Sequence, residues 1–353
     1  MGLTIFTVVS IEGAVRHDEL FSGTARLIRT RGSEMLGTWA VGFFIWDGRR
    51  HMGRFESLAP RSGEDAQHAA RVALRGVGQI MFQGHAGTGL FFLAGIALAS
   101  PAMLAGAILG AAIGPLVARL AGFDRDGLEQ GLYGFNSTLV GLATPVFLKP
   151  SHPLTWLLAA AGCAAATFLT RLAGRYLKFP AYTAPFVVTT WLVLLSAHGL
   201  MGHAIDAPAP PTVIEEGGFL SAVLRGEAEV MLGANALTGV LFLAGIAISN
   251  PWHAAMALMG SLVGTAVAVY HGDPDAPVSV GLYGYNASLA AMALFLPRPS
   301  LTLPLLAAVA STPLTEFFPK SLGIPALTAP FVVAAWLVLL ATWAERRLFG
   351  TRD

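Results

Sequence analysis

The sequence predicts an all-α polytopic membrane protein whose two halves are homologous inverted repeats. Three observations support this fold class: long apolar runs, few charged residues, and sequence blocks that occur twice in the same order. Each repeat is expected to contain about five transmembrane helices and one re-entrant half-helix.

The composition is typical of a chain embedded in lipid. Hydrophobic residues make up 54% of the 353 residues and charged residues only 12%, whereas soluble domains carry about 25% charged residues. From Gly78 onward, apolar runs are long enough to cross a bilayer as helices. The net charge of +1 gives no reason to expect a nucleic-acid partner. The one cysteine, Cys163, excludes an intrachain disulfide and is predicted to be a packed thiol.

A duplication accounts for most of the chain. PAYTAPFVVTTWLVLL at 180–195 and PALTAPFVVAAWLVLL at 325–340 are identical at thirteen of sixteen positions, with an offset of 145. Two further blocks recur with an offset of 150: TGLFFLAGIALASP at 88–101 with TGVLFLAGIAISNP at 238–251, and GLYGFNSTL at 131–139 with GLYGYNASL at 281–289.

The same coarse pattern of elements is predicted for each half. The first has a short amphipathic segment at 69–83 and spans near 87–100, 102–121, 132–148, 153–172 and 183–200. The second has a segment at 218–233 and spans near 237–250, 252–270, 282–296, 301–317 and 328–345. These elements divide the chain into an N-terminal cytoplasmic extension 1–65, a first repeat 66–202, an extracytoplasmic linker 203–217, a second repeat 218–345 and a cytoplasmic tail 346–353.

Charge predicts the orientation of the repeats. The central connection is poor in basic residues, whereas arginines are frequent before the first repeat and after the second. The positive-inside rule therefore predicts cytoplasmic termini and an external central connection. An odd number of spans in each half also inverts the second half, and inverted repeats usually place a substrate path where the halves meet.

Polar residues at membrane depth are costly and therefore candidates for function. Gln79 and Glu229 occupy equivalent positions in the two half-length elements, and both carry an acceptor oxygen. Phe82 and Leu232 lie three residues later, on the same helix face. A lining role is predicted for both pairs, against the alternative that Gln79 and Glu229 are solvated helix ends.

Two matched threonines begin the last span of each repeat. Thr183 and Thr328 precede Ala-Pro-Phe, and the proline restricts the backbone before it. They could be ordinary N-caps. The alternative is that they face each other across the pseudo-two-fold axis and form a small polar waist at the midplane.

The repeated GLYG[FY]N block contains a matched aromatic pair and a matched asparagine pair. Phe135 and Tyr285 are predicted to pack within the protein, beside glycines that allow backbones to approach closely. Asn136 and Asn286 are predicted to make interhelical hydrogen bonds instead of contacting a substrate.

At these blocks the sequence resembles the bacterial branch of the urea transporter family, over about residues 68–345. The matching motifs are GQIMFQ with Thr88-Gly89, GLYGFNSTLVG and PAYTAPF, each with a counterpart in the second half. The resemblance implies a homotrimer in the bacterial inner membrane, with a separate urea pore in each protomer. It also implies that each pore has two urea stations on either side of a midplane constriction.

The resemblance further assigns roles to particular residues. Gln79 and Glu229 would supply acceptor oxygens at the two stations, and Thr183 and Thr328 would lie at the constriction. The remaining lining residues form four equivalent pairs. Ile80 pairs with Val230 in the wall, and Leu139 pairs with Leu289 at narrow points. At the flat slots, Phe82 pairs with Leu232 and Phe135 pairs with Tyr285. Leu232 and Tyr285 depart from the phenylalanine that is usual in the family.

These residues together predict channel-type transport of urea down its gradient, with no cofactor and no catalytic role. Urea is flat and neutral, so a slot with acceptor oxygens along one edge fits it, and weak binding at several sites suits conduction. Two alternatives stay open: a channel for another small neutral solute such as ammonia, a short amide or water, and a proton-coupled transporter that uses Glu229.

Overall fold

All regular elements in the described part of the chain are helices, which confirms the all-α fold class. The computed structural model describes residues 64–201, 218–233, 235–297, 300–318 and 324–350. Nearly all of the predicted N-terminal extension 1–65, and all of the predicted linker 203–217, lie outside these ranges.

Each half contains the same series of seven helices within the described residues. The first half has α1 Glu64–Gly78, α2 Ala86–Ala99, α3 Pro101–Leu120, α4 Arg125–Glu129, α5 Phe135–Phe147, α6 Pro153–Tyr176 and α7 Ala184–Met201. The second has α8 Gly218–Glu229, α9 Ala236–Ser249, α10 Pro251–His271, α11 Asp275–Ser279, α12 Gly284–Phe295, α13 Thr302–Glu316 and α14 Ala329–Phe349. A 3₁₀ turn, Gln79–Met81, follows α1. The hydropathy pattern did not predict the five-residue helices α4 and α11.

Reciprocal hydrogen bonds join the two halves. The Trp191 indole donates to the carbonyl of Pro325 at 2.9 Å, and the equivalent Trp336 donates to the carbonyl of Pro180 at 2.8 Å. When residue i of one copy contacts residue j of the other and the reverse contact also exists, the copies are related by an approximate two-fold axis.

A second reciprocal pair lies between α2 and α9. The Thr88 hydroxyl donates to the carbonyl of Gly245 at 2.6 Å, and the Thr238 hydroxyl donates to the carbonyl of Gly95 at 3.0 Å. All four residues are in the TG[LV]xFLAG blocks that the sequence repeats. The duplicated sequence therefore builds duplicated contacts across the same interface.

Several helices have the length and composition of membrane spans. In the described residues α3, α6, α10 and α14 qualify alone, and α1 with α2 forms a fifth candidate whose parts meet at 73°. The sequence predicts ten spans because hydropathy counts every apolar helix. The 14 residues of α2 or α9 extend only about 21 Å at 1.5 Å per residue, less than the ~30 Å of a hydrocarbon core.

The helices α5 and α12 are apolar for a different reason. They contain 13 and 12 residues, and the side chains of 135–145 and 284–294 are all buried. In the first half α5 packs against α3, α6 and α7, and in the second α12 packs against α10, α13 and α14. These helices are covered by protein on all sides, so their apolar character reflects the core and not lipid.

Glycines allow the backbone approaches that the sequence predicts around GLYG[FY]N. Gly131 and Gly281 have φ angles of +78° and +85°, and a Cβ on either would lie 2.4 or 2.2 Å from the backbone nitrogen of Gly76 or Gly226. The predicted close approach is confirmed, and it fixes the loop before α5 or α12 against the half-length helix of the same repeat.

Gly110 is expected to be essential for packing α3 against α5. An added Cβ would lie 2.3 Å from the carbonyl oxygen of Ser137, so Gly110→Ala should lower the free energy of unfolding by about 1–3 kcal/mol. The thermal unfolding midpoint of the detergent-purified protein measures this loss.

Gly199→Ala is the matched control, because nothing lies within 4 Å of a Cβ at this helical glycine. Alanine is favoured over glycine in a helix by about 1 kcal/mol, so this midpoint should stay the same or rise. Equal midpoints for the two variants would contradict the close approach of α3 and α5.

Candidate functional site

The two matched threonines meet between the repeats. The hydroxyl oxygens of Thr183 and Thr328 are 2.6 Å apart, and both side chains are only 2% exposed. Thr328 occupies the N-cap position of α14, but its side chain makes no cap hydrogen bond. Its hydroxyl is therefore used across the interface, which favours the facing arrangement over the simple N-cap. We call this pair the threonine contact.

The two asparagines make the interhelical hydrogen bonds that the sequence predicts. The Asn136 side-chain oxygen accepts from the backbone N–H of Phe186 at 3.2 Å, and that of Asn286 accepts from the N–H of Phe331 at 3.1 Å. These donors lie in the first turns of α7 and α14, where backbone N–H groups lack helical partners. The asparagines thus stabilise the helix starts next to the threonine contact.

Left-handed backbone conformations surround the site. Among the described residues, four non-glycine residues have positive φ: Phe82 at 62°, Leu232 at 58°, Tyr182 at 49° and Leu327 at 48°. Phe82 and Leu232 are one equivalent pair, and each follows the half-length helix of its repeat. Tyr182 and Leu327 are the other pair, and each directly precedes one of the two threonines. Such conformations are unfavourable for bulky residues and persist only where the surrounding structure enforces them. Their occurrence in both repeats marks the region as a functional candidate.

An aromatic cluster lies on one side of the repeat interface. The Phe82 ring packs edge-on against Tyr182 and Phe331, with ring centroids 6.2 Å away in each case, and Tyr182 and Phe331 are 5.2 Å apart. Two of these residues come from the first repeat and one from the second. The equivalent positions on the other side are less aromatic: Leu232, Leu327 and Phe186. The two sides of the site are therefore chemically different.

Gln79 presents an acceptor oxygen inside the protein. Its amide nitrogen donates to the carbonyl of Gln130 at 2.9 Å, which fixes the side chain. Its Oε1 atom is buried and has no hydrogen-bond partner in the described part of the chain. Such an atom is costly unless a ligand or water donates to it. The predicted acceptor is thus present and available.

The equivalent residue Glu229 ends α8 and is partly buried. An ionised carboxylate has no N–H to donate, so it cannot copy the anchoring bond that Gln79 makes. Both side chains share an oxygen acceptor at the same repeat position, as the sequence predicts. The alternative that they are freely solvated helix ends does not fit Gln79, which is 6% exposed.

The predicted apolar lining residues are brought together. Leu232 packs against a buried cluster that contains residues of both repeats. Seven of the predicted lining residues belong to this cluster: Ile80, Phe82, Phe135, Leu139, Val230, Tyr285 and Leu289. The Tyr285 hydroxyl donates to the carbonyl of Leu327 at 2.6 Å. Phe135, at the equivalent position, has no hydroxyl with which to make this bond.

Sequence reasoning missed three features of the site. Tyr182 and Phe331 complete the aromatic cluster, and their positions within the PAYTAPF and PALTAPF blocks were the available signal. Glu227 is fully buried and accepts from the Ser288 hydroxyl at 3.0 Å. Its repeat equivalent is Val77, so a carboxyl two residues before Glu229 was visible as a difference between the repeats.

Comparison with known proteins assigns the chain to a family. A family model described as "Urea transporter" matches residues 70–343. The chain is 28% identical over 302 residues to "Urea transporter 1" of Rattus norvegicus and 27% identical over 299 residues to "Urea transporter 1" of Ovis aries. Each alignment covers 78% of this chain and 78% of the relative. The matched region includes most of both repeats and every candidate site residue, so this chain belongs to the urea transporter family and is a urea transport protein, not an enzyme.

Proposed function

We propose that the chain is a channel through which urea moves down its gradient, along a path between the two repeats. The threonine contact carries this proposal, because it places two equivalent hydroxyl groups against each other where the two repeats meet. The path would run from Gln79 past Thr183 and Thr328 to Glu229.

The polar groups suit urea, which has four N–H donors and one carbonyl. Gln79 Oε1 has no partner among the described residues, and Glu229 offers equivalent oxygens at the other station. Each neutral hydrogen bond contributes only about 1 kcal/mol net, so urea can exchange between stations quickly. An ion would lose far more hydration energy than the neutral threonine hydroxyls at the waist return.

The threonine contact must open during passage. With the two hydroxyl oxygens 2.6 Å apart, no solute fits between them. Breaking one neutral hydrogen bond costs about 1 kcal/mol, and urea can replace the lost partner because it both donates and accepts. The waist is therefore a low barrier that rearranges by rotation of two side chains.

A proton-coupled transporter is the second candidate. The second repeat has two buried or partly buried carboxyls, Glu227 and Glu229, where the first repeat has Val77 and Gln79. Proton relays in membranes use such groups. Channels for ammonia, a short amide or water would also fit a narrow neutral path.

Stopped-flow light scattering on proteoliposomes separates these candidates. At urea concentrations well below half-saturation, a urea channel gives flux proportional to the urea gradient, equal at pH 6 and pH 8 and independent of sodium. A strict need for a proton gradient would establish coupling instead. Faster entry of acetamide, ammonia or water than of urea would overturn the choice of solute.

Tyr285→Phe is expected to strengthen urea binding at the second station. The change removes the hydroxyl that occupies the carbonyl of Leu327, which then becomes available to a urea N–H. One added hydrogen bond of about 1 kcal/mol should lower the half-saturating urea concentration roughly fivefold.

Phe135→Tyr is the matched variant at the equivalent position. Its new hydroxyl would face the carbonyl of Tyr182, which is the equivalent of Leu327. Because the hydroxyl would occupy that carbonyl, urea binds more weakly and the half-saturating urea concentration should rise. Opposite shifts in the two variants support the proposed roles, whereas unchanged values in both would contradict them.

Charge supports the proposed orientation in the membrane. Arg125 and Arg171 of the first repeat correspond to Asp275 and Glu316 of the second. If the repeats are inverted, these equivalent ends face opposite sides, and the arginine end belongs in the cytoplasm. We place both termini on that side.

Location in a bacterial inner membrane and assembly as a homotrimer stay predictions from the resemblance. The mass of the purified assembly tests whether the protein is a trimer.

A further inference from the structure

A cavity lies where α3 and α6 end, away from the site between the repeats. Its volume is about 410 Å³. It is lined by a loop after α3 and by the last turns of α6: Ala121, Gly122, Phe123, Phe168, Leu169, Arg171, Leu172, Arg175 and Tyr176.

The polar part of this cavity is positively charged. The Arg171 guanidinium lies 5.5 Å from the centre of the Phe123 ring and 3.1 Å from a carboxylate oxygen of Asp124. The Arg175 guanidinium lies 5.8 Å from the centre of the Tyr176 ring. In the described part of the chain no carboxylate forms an ion pair with Arg175. Two guanidinium groups and one carboxylate leave a net positive charge.

The other part of the cavity is apolar and open at the surface. Phe168, Leu172 and Tyr176 are 53%, 52% and 68% exposed. They lie on α6, which is long and apolar enough to span the membrane. In a bilayer this face contacts acyl chains, so the cavity joins a cationic helix end to a lipid-facing surface.

The second repeat offers a built-in comparison. Glu316 occupies the position of Arg171, and Lys320 that of Arg175. The equivalent end of the second repeat therefore carries one cation and one carboxylate in place of two guanidinium groups, so its net charge is lower. The pair of arginines is specific to the first repeat and is not a consequence of the shared fold.

We propose that this cavity binds an anionic phospholipid, with the headgroup phosphate at Arg171 and Arg175 and the acyl chains along the exposed face of α6. Arginine suits this role because its guanidinium can donate two parallel hydrogen bonds to a phosphate. The aromatic rings under the guanidinium groups hold them near the cavity. The site does not depend on the route that urea takes.

Native mass spectrometry of the delipidated full-length protein tests the proposal. Titration with phosphatidylglycerol should show one preferred site per protomer, with affinity at least about fivefold above that for phosphatidylcholine. Arg175→Gln should lower the phosphatidylglycerol affinity about fivefold and leave that for phosphatidylcholine unchanged. Leu172→Glu, which adds a carboxylate at an exposed lining position, should abolish the preference.

Arg125→Gln is the matched control, because its side chain is 86% exposed at the same end but does not line the cavity. It should change the affinity less than about twofold. If Arg125→Gln lost as much phosphatidylglycerol affinity as Arg175→Gln, the lipid preference would come from general surface charge and the proposed site would be wrong. Equal binding of the two lipids, or competition by inorganic phosphate at the same concentration, would also overturn it. Thermal unfolding of each lipid-free variant checks that it is folded.

Discussion

Gln79→Leu and Glu229→Leu are each expected to reduce urea flux by about thirtyfold. Both changes remove an acceptor oxygen at one station, so a urea N–H that enters the buried site loses its partner. Leaving such a donor unsatisfied costs about 1–3 kcal/mol, and about 2 kcal/mol corresponds to a thirtyfold change. Initial urea flux into proteoliposomes measures the effect.

The conservative variants separate the acceptor from the charge. Glu229→Gln keeps a side-chain oxygen and should retain much of the flux. It can also donate to the carbonyl of Val280, which is equivalent to the bond that Gln79 makes to Gln130. An inactive Glu229→Gln together with an active Glu229→Leu would contradict the acceptor role, and a loss of pH dependence in Glu229→Gln would favour proton coupling.

The double variant Thr183→Val with Thr328→Val is expected to lower urea flux about tenfold. Valine is close to threonine in shape but replaces each hydroxyl with a methyl group, so both polar groups are lost and the two side chains must move slightly apart. Urea then crosses the narrowest point without one or two hydrogen bonds of about 1 kcal/mol each, and the central barrier rises accordingly.

Thr189→Val supplies the matched control for this change. Thr189 is buried on α7, which begins directly after Thr183, and its hydroxyl has no hydrogen-bond partner in the described residues. Its methyl group lies 3.7 Å from a Cβ built at Gly162 of α6, whereas Thr183 and Thr328 contact each other. Flux should be unchanged in this variant. A double variant at the waist that conducts as well as Thr189→Val would remove the threonine contact from the path.

The duplication made much of the site predictable. Equivalent positions in two copies must have related environments, so the sequence could pair Gln79 with Glu229 and Thr183 with Thr328 before any coordinates. It could also predict bonded asparagines, because a buried amide in an apolar helix needs a partner. The structure supplies the partners of Asn136 and Asn286, which are backbone groups of helices 45 to 50 residues away.

Other features depend on backbone geometry and tertiary packing, which the residue pattern does not encode. Tyr182 and Leu327 give no sequence signal of positive φ, because bulky residues rarely adopt it. The Phe82, Tyr182 and Phe331 cluster combines both repeats and cannot be derived from either one. Hydropathy also cannot distinguish a helix buried in protein from one facing lipid, so it gave no sign that the short α5 and α12 would be enclosed by other helices.

A reversible cross-link at the waist tests the central claim most directly. Thr183→Cys with Thr328→Cys, in a Cys163→Ala background, places two thiols where the hydroxyl oxygens are 2.6 Å apart, close enough for a disulfide after small adjustments. We expect the oxidised protein to lose urea flux, a reductant to restore it, and either single-cysteine variant to be indifferent to oxidant. Undiminished flux through protein shown by mass spectrometry to be fully cross-linked would mean that urea does not pass between the two repeats at these residues.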